Sequence, residues 1–354
     1  MFLAILVIAM ILSAFFTMMR VEDQEESINQ QVLQEVEQKN FEDPDEANEY
    51  RKERLQKLRK ENDLDEPMGK KVLDNAVDMI TLDFGETDRY TTPDERGSQK
   101  VSAIIMHYLP RTIVLFTTAA VIYTLLAITL SLKTAQIAGS KTDRIVTLIG
   151  ATFSSVPVWW AGMIFLVIFT GKLGWYPIPS PTFPSIAKVG YLGYLKEFLF
   201  KMSLPLFTAV LVKFGSSLWT SRNIVASVLE DDYIMAARAK GVPENKVIYG
   251  HALKTAAPPI MTSGVLALLT SLGAFLIAEI VFQWPGIGFM LWRAVYESGP
   301  SIGGSGFPFE DRLIAATTFV LVVISIVGLY ITDIIYGLLD PRIEVGSKFS
   351  KGDI

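Results

Sequence analysis

Six long apolar runs constrain the fold of this chain more than any other feature. They cover about Phe2–Met19, Ile113–Leu132, Ile145–Thr170, Phe198–Leu218, Ile260–Val281 and Leu313–Tyr336. Each run is close to the roughly 20 residues that an α-helix needs to cross about 30 Å of hydrocarbon. The two-residue alternation typical of a transmembrane β-barrel is absent. The runs therefore predict an all-α integral membrane protein with about six transmembrane helices.

Charged residues are concentrated between the first two runs. Residues 20–111 carry 14 basic and 23 acidic side chains, and the rest of the chain carries 18 basic and 14 acidic ones. Ile28, Val32 and Val36 recur there at helical spacing, and Pro44 interrupts the pattern before a second helical stretch. We expect two amphipathic helices that form a cap and touch a partner outside the membrane. The alternative is a solvated, partly disordered linker.

These features divide the chain into four parts. Residues 1–19 form the first transmembrane helix, 20–111 a helical extracytoplasmic insert, 112–342 a five-helix core and 343–354 a cytoplasmic tail. The core contains a cytoplasmic segment at 229–257. The first run is expected to be a retained helix, because no Lys or Arg precedes it and no small-residue cleavage pattern follows it. A cleaved signal peptide is the alternative.

Basic residues in the short loops predict the orientation of the spans. Eleven lie in the segments 133–144, 219–258 and 337–354, and six lie in the segments 171–201 and 282–312. The excess places the segment at 229–257 and both termini in the cytoplasm. Arg20, directly after the first run, then lies on the outer side and departs from the rule.

The composition excludes several kinds of site. The chain has no cysteine and two histidines, so thiolate and histidine metal sites are not expected. It contains no Gly-x-x-x-x-Gly-Lys-Ser/Thr loop, no His-Glu-x-x-His and no Gly-x-Ser-x-Gly. We predict no catalytic residue, no metal and no cofactor bound by this chain, and nothing indicates a nucleic-acid partner.

A short polar stretch between the fourth and fifth runs predicts a rigid knob at the cytoplasmic membrane face. Gly241 can end a helix in the left-handed conformation, and Pro243 suits the first turn of a second helix. The small side chains of Ala236, Ala237 and Ala239, which precede this glycine, would let another protein approach closely. The residues assigned to this contact surface are Asp232, Tyr233, Ala236, Ala237, Arg238, Ala239, Lys240, Gly241 and Pro243.

Other residues are candidates for a pathway or its gate. They are Ser154, Ser155, Pro157, Lys213, Glu279, Pro285, Gly286 and Gly288. Pro157 removes a backbone hydrogen bond within the third run, and a purely structural kink is the alternative to a pathway role. Lys213 is expected to face the bundle or a watery cavity, or else to extend to the membrane surface. Glu279 is a gate candidate, or a helix-end carboxylate held by local hydrogen bonds.

Several separated motifs carry a family resemblance. They are Asp83-Phe84-Gly85, Gly-Trp-Tyr-Pro at 174–177, Ala236–Gly241, His251-Ala252-Leu253, Glu279–Phe282, Gln283–Gly288 and Leu338–Arg342. In this order they resemble the membrane subunits of ATP-binding-cassette importers, and most of all the dipeptide/oligopeptide permease B-type branch. The resemblance covers about Leu82–Arg342. The first span and the insert depart from it, and Met235 stands where the general importer signature has Glu.

The resemblance implies a permease subunit that forms half of a peptide pathway and works by alternating access. Implied partners are a second homologous permease, two ATPase subunits that bind ATP and Mg, and an extracytoplasmic substrate-binding protein, in the cell membrane of a bacterium or archaeon. The knob at 232–241 would be the coupling helix that docks on an ATPase. Oligosaccharides or nickel are alternative cargoes. An ion-coupled secondary transporter is disfavoured because the spans carry almost no carboxylates.

Overall fold

The computed structural model describes residues 2–41, 43–87, 91–92, 97–137, 139–296 and 311–339. Over these residues the chain is helical, and extended segments pair only at the antiparallel bridge between Glu86 and Lys100. The prediction of an all-α membrane protein is therefore confirmed. The predicted motif residues Asp340, Pro341 and Arg342 and the tail at 343–354 lie outside the described part.

The helices follow one another in chain order. They are α1 (Phe2–Lys39), α2 (Pro44–Glu61), α3 (Met68–Thr81), α4 (Val101–Gln136), α5 (Lys141–Ser154), α6 (Val158–Phe165), α7 (Ile186–Leu229), α8 (Asp232–Ala239), α9 (Glu244–Lys246), α10 (Leu253–Thr270), α11 (Leu272–Val281), α12 (Ile287–Tyr296) and α13 (Asp311–Leu339). Two π-helical segments are continuous with them: Leu166–Lys172 extends α6, and Val247–Ala252 joins α9 to α10.

Five of the described helical segments are long and apolar enough to cross a membrane. They are α1, α4, α7, α13 and the continuous segment Glu244–Thr270, which consists of α9, the second π-helical segment and α10. A sixth span results if α5 and the extended α6 are counted together, although the pair is bent by 96°.

The bend corrects the expectation that Pro157 kinks one continuous third helix. The helix is interrupted there: α5 ends at Ser154, and Pro157 precedes α6 with an extended backbone at φ −66° and ψ 137°. A residue before proline is pushed out of the helical region, so Val156 cannot continue α5. The amides of Ser155 and Val156 bond back to Thr152 and Phe153, which closes the end of α5.

The described residues divide into two compact units, one of Met1–Tyr108 with Met290–Ile326, the other of Leu109–Phe289 with Val327–Ile354. In the first unit, α1 runs without a break from the apolar run into the acidic insert. The first amphipathic helix of the insert is therefore not a separate element. No proline or glycine stands within α1 to stop it.

The outer part of α1 and helix α2 form a helical hairpin with its own small core. Ile28, Val32, Leu58 and Leu64 are buried in it, and Val32 is fully buried. Arg54 of α2 donates to both carboxylate oxygens of Glu35 of α1, at 2.9 and 3.2 Å. A third insert helix, α3, was not predicted as a separate element.

In the second unit, α5 packs closely against α7 through two glycines. A Cβ added at Gly215 would lie 2.6 Å from Phe153 Cβ and 3.0 Å from the Gly150 carbonyl oxygen. At the start of α5, the buried Asp143 accepts two hydrogen bonds from Arg222 of α7, at 3.2 and 2.9 Å. Small residues let the helices approach, and the ion pair fixes their register.

We expect Gly215→Ala to lower the melting temperature of the detergent-solubilised protein by several degrees. The added methyl must push α5 away from α7, and overpacking of this kind costs about 1–3 kcal/mol. Gly273→Ala is the matched control, because Gly273 is also helical and has nothing within 4 Å of its Cβ position. Equal melting temperatures for the two variants would contradict the close approach.

Candidate functional site

The predicted knob is present as helix α8, and one side chain anchors it. Ile234 is completely buried among residues of α7, the second π-helical segment and α10, including Val225, Val247 and Ile260. Burying an Ile side chain is worth about 1.5–3 kcal/mol. The anchor holds α8 on the end of the helical bundle.

The opposite side of α8 is open. Met235 is 57% exposed, and Ala236 and Ala239 are exposed beside it. Ala237 differs from the sequence expectation, because it is half-buried and packs against the cluster around Ile234. Ala237 therefore supports the surface that is available to a partner. The exposed residues of that surface are Asp232, Tyr233, Met235, Ala236, Arg238, Ala239 and Lys240.

The turn after α8 has the expected glycine chemistry. Gly241 has φ +75°, and its amide bonds to Arg238 O at 2.9 Å, while Val242 N bonds to Ala237 O at 3.2 Å. These bonds close the end of α8 and turn the chain. Pro243 then caps α9 with its backbone in the extended region, at ψ 138°.

An ion pair spans this turn. Arg238 donates to both oxygens of Glu244, at 2.7 and 3.2 Å. The hydrogen bond raises the pKa of the Arg238 guanidinium above its ordinary value. The pair is 40% and 51% exposed, and exposed pairs contribute about 0–1 kcal/mol. The pair links α8 to α9, but the burial of Ile234 contributes more to the stability of the knob.

Lys213 points into the helical bundle. Its Nζ donates to Ser271 Oγ at 2.6 Å and lies 5.6 Å from the centre of the Phe275 ring. Ser271 is the single residue between α10 and α11. Lys213 of α7 therefore binds the residue at which the fifth apolar run is interrupted.

Glu279 is completely buried near the end of α11. Its Oε1 accepts from Thr112 Oγ1 of α4 at 2.7 Å, and its Oε2 accepts from Gly288 N at 2.6 Å. The same hydroxyl of Thr112 accepts from Ile287 N at 2.8 Å. The carboxylate and the hydroxyl together hold the turn at 282–288 against two helices.

Two positions of this turn have room only for glycine, because the Glu279 carboxylate and the backbone of α11 lie against them. A Cβ at Gly286 would overlap the Glu279 carboxylate, and a Cβ at Gly288 would overlap the backbone of Leu276. Pro285 lies between Trp284 and Gly286, and it too is buried. The structure thus brings Glu279, Pro285, Gly286 and Gly288 into one cluster.

The remaining pathway candidates lie apart from that cluster. Ser154 and Ser155 are exposed beside Pro157, and Ser154 Oγ donates to Ala151 O of its own helix at 2.7 Å. In the described part of the chain, none of the three shares a hydrogen bond with Lys213 or Glu279.

Sequence reasoning missed a cavity of about 100 Å³ between α7 and α10. Five hydroxyl side chains line it: Ser216, Ser217, Thr220, Ser221 and Ser263. Four of them recur within six residues of α7, and this spacing puts several on one helix face. That repeat was the available signal, and only the tertiary structure shows that it faces α10.

Comparison with known proteins identifies the chain. Residues 127–345, more than half of its length, match the family described as binding-protein-dependent transport system inner membrane component. The chain belongs to this family. It is a multi-pass protein of the cytoplasmic membrane and a transport subunit.

Relatives in this permease family cover most of the chain. The oligopeptide transport system permease protein AppB of Bacillus subtilis is 28% identical over 79% of this chain and 82% of its own length. The dipeptide transport system permease protein DppB of Alkalihalophilus pseudofirmus is 29% identical over 75% and 79%. The peptidoglycan transport system permease protein YejB of Agrobacterium fabrum is 25% identical over 82% and 76%.

The cluster around Glu279 can be tested by stability measurements. Glu279→Gln places an amide NH₂ against hydrogen-bond donors, and a buried donor without a partner costs about 1–3 kcal/mol. We expect a clearly lower melting temperature in detergent, while Glu197→Gln, at a partly exposed carboxylate, changes it little.

Thr112→Val removes the shared hydroxyl and should destabilise the same turn. Since the two side chains act together, the double variant should lose less than the sum of the single losses. Additive losses, or a Glu279→Gln protein as stable as the wild type, would contradict the shared role.

Proposed function

We propose that this chain is one membrane-spanning half of an ATP-driven importer for peptides. A second, related permease would complete the pathway, and two ATPase subunits would bind ATP and Mg on the cytoplasmic side. An extracytoplasmic binding protein would deliver the cargo. The single observation that carries the proposal is the anchored helix α8 with its open face, in a chain of a binding-protein-dependent transport family.

Helix α8 has the mechanical properties that energy coupling needs. It is short, it is fixed to the bundle by Ile234, and a four-residue turn with Gly241 in the left-handed conformation joins it to α9. Force applied to its open face is passed to α7 and α10 because Ile234 lies in one buried cluster with residues of both helices. A flexible loop would absorb the same displacement.

The named relatives support peptides as cargo. AppB and DppB are called oligopeptide and dipeptide transport permeases. The low charge of the spans suits a wide pathway for cargo of varied side chains better than a tight ligand site. Oligosaccharides and nickel are the competing cargoes.

Alternating access requires helices that can move as rigid pieces. The break at Ser155, Val156 and Pro157 separates α5 from α6, and Lys213 bridges the break at Ser271. We place the moving joints at these two breaks. The turn held by Glu279 is the rigid element of the outer gate, and the hydroxyl-lined cavity between α7 and α10 belongs to the pathway.

Bulky side chains on the open face of α8 test the coupling role. We expect Ala236→Trp and Ala239→Trp to reduce cargo-stimulated ATP hydrolysis by the purified complex to its basal rate. Both alanines are exposed, so the melting temperature of the permease should not change. Ala187→Trp, at an exposed alanine of α7, is the control.

Full stimulation with tryptophan at both positions of α8 would contradict the docking role. Cargo is tested separately, in vesicles that contain the complex captured through a tag on this chain. Uptake of labelled di- and oligopeptides should require internal ATP. Uptake of maltooligosaccharide or Ni²⁺ in place of peptides would overturn the peptide assignment. Uptake without ATP would overturn the proposal that ATP drives transport.

A further inference from the structure

A polar cavity of about 220 Å³ lies within the first unit, between α1, α3 and α13. Arg20 and Asn75 line it, together with Asp78, Asp83 and Arg312. The two guanidinium groups carry positive charge and the two carboxylates negative charge. The proposed importer makes no use of this site.

The cavity lies at the boundary of an apolar span. Arg20 directly follows the apolar run of α1, and Arg312 stands at the start of the apolar run of α13. Below them the walls become apolar: Phe16 and Ala315 line the cavity, and Ala9, Met79 and Phe319 form a buried cluster nearby. A charged chamber above an apolar floor is the arrangement of a lipid head-group region.

Helix α3 lies along the membrane part of α1, although the sequence placed it in the extracytoplasmic insert. Ser13 Oγ donates to Val72 O at 2.6 Å, and Asn75 Nδ2 donates to Thr17 Oγ1 at 2.8 Å. Ser13 lies six residues before Met19, which is roughly 9 Å along a helix. Helix α3 therefore reaches below the end of the apolar run.

The outer side of α3 is apolar and open. Leu73 and Val77 are each 55% exposed, and Ile80 and Leu82 follow on the same helix and at its end. On α1, Ile11, Phe15 and Met18 are between 57% and 61% exposed. An apolar surface that continues from a transmembrane helix onto α3 suits acyl chains, because it joins the lipid-facing surface without a polar border.

We infer that this cavity binds the head group of a zwitterionic aminophospholipid in the outer leaflet. Arg20 and Arg312 hold the phosphate, and Asp78 and Asp83 hold the primary ammonium. The acyl chains lie along Leu73 and Val77. Arginine beside a phosphate is a charge-assisted contact, and four groups of balanced charge suit a zwitterion better than an anion.

The site also accounts for two features of the sequence. Arg20 departs from the positive-inside rule, and a phosphate partner in the outer leaflet stabilises it there. The Asp83-Phe84-Gly85 motif forms one wall of the cavity. A Cβ at Gly85 would lie 3.2 Å from Arg312 Nη1, so the glycine lets the guanidinium reach across the motif.

Native mass spectrometry of the purified full chain in its complex tests the head-group contact. Vesicles of phosphatidylethanolamine, phosphatidylglycerol or phosphatidylcholine supply the lipid. We expect retained phosphatidylethanolamine to fall roughly tenfold in the double variant Arg20→Gln/Arg312→Gln. Arg51→Gln, at an arginine of α2 outside the cavity, should retain it. The double variant with lysines should retain an intermediate amount, which excludes a general loss of folding.

The carboxylates are tested by head-group preference. Asp78→Asn/Asp83→Asn should remove the preference for phosphatidylethanolamine over phosphatidylglycerol, while Asp74→Asn should leave it. Unchanged retention in the double arginine variant would overturn the site. Displacement of the lipid by millimolar inorganic phosphate would show a small-anion site and would also overturn it.

Spin labels test the acyl-chain contact, and the absence of native cysteine makes each label unique. In bilayers, a label at Val77→Cys should be accessible to oxygen and protected from a water-soluble nickel chelate. A label at Lys52→Cys in α2 should show the reverse. Protection of Val77→Cys from both reagents would indicate burial against another protein, and would overturn the lipid assignment.

Discussion

Hydrocarbon offers no water to satisfy polar groups, and this constraint explains where the polar side chains of the second unit lie. Lys213 of α7 bonds to Ser271, where the fifth apolar run is interrupted. Glu279 and Thr112 hold the turn that follows the same run. Each interruption is thus stabilised by a side chain from another helix. The breaks are therefore built into the fold, and they are the places where rigid helical pieces meet.

The coupling helix depends on a different balance. Exposed ion pairs contribute little, so the Arg238–Glu244 pair cannot hold α8 on the bundle by itself. One completely buried side chain, Ile234, supplies the larger contribution. The rest of the helix is exposed, apart from the half-buried Ala237. The buried side of this eight-residue helix therefore stabilises it, and the exposed side is free for a partner. A partner can bind without disturbing Ile234.

The first part of the polar insert belongs to the same continuous helix as the first membrane span. Helix α1 continues from the apolar run to Lys39 because nothing in its sequence ends it. Its outer half pairs with α2 through Ile28, Val32 and Leu58, while its membrane half pairs with α3. One helix therefore belongs to two environments. The charged cavity beside α3 marks the level at which one environment replaces the other.

The sequence by itself determined the fold class, the apolar runs and the position of the knob, because hydrophobic run length, glycine and proline act locally. It also predicted the left-handed turn at Gly241. Only the tertiary structure decided that Pro157 separates two helices, that Ala237 faces inward and that α3 lies beside α1. The partners of Lys213 and Glu279 were equally beyond the sequence, since Ser271 and Thr112 are 58 and 167 residues away. Such contacts depend on how helices pack, and the spacing of residues along one helix does not specify its neighbour.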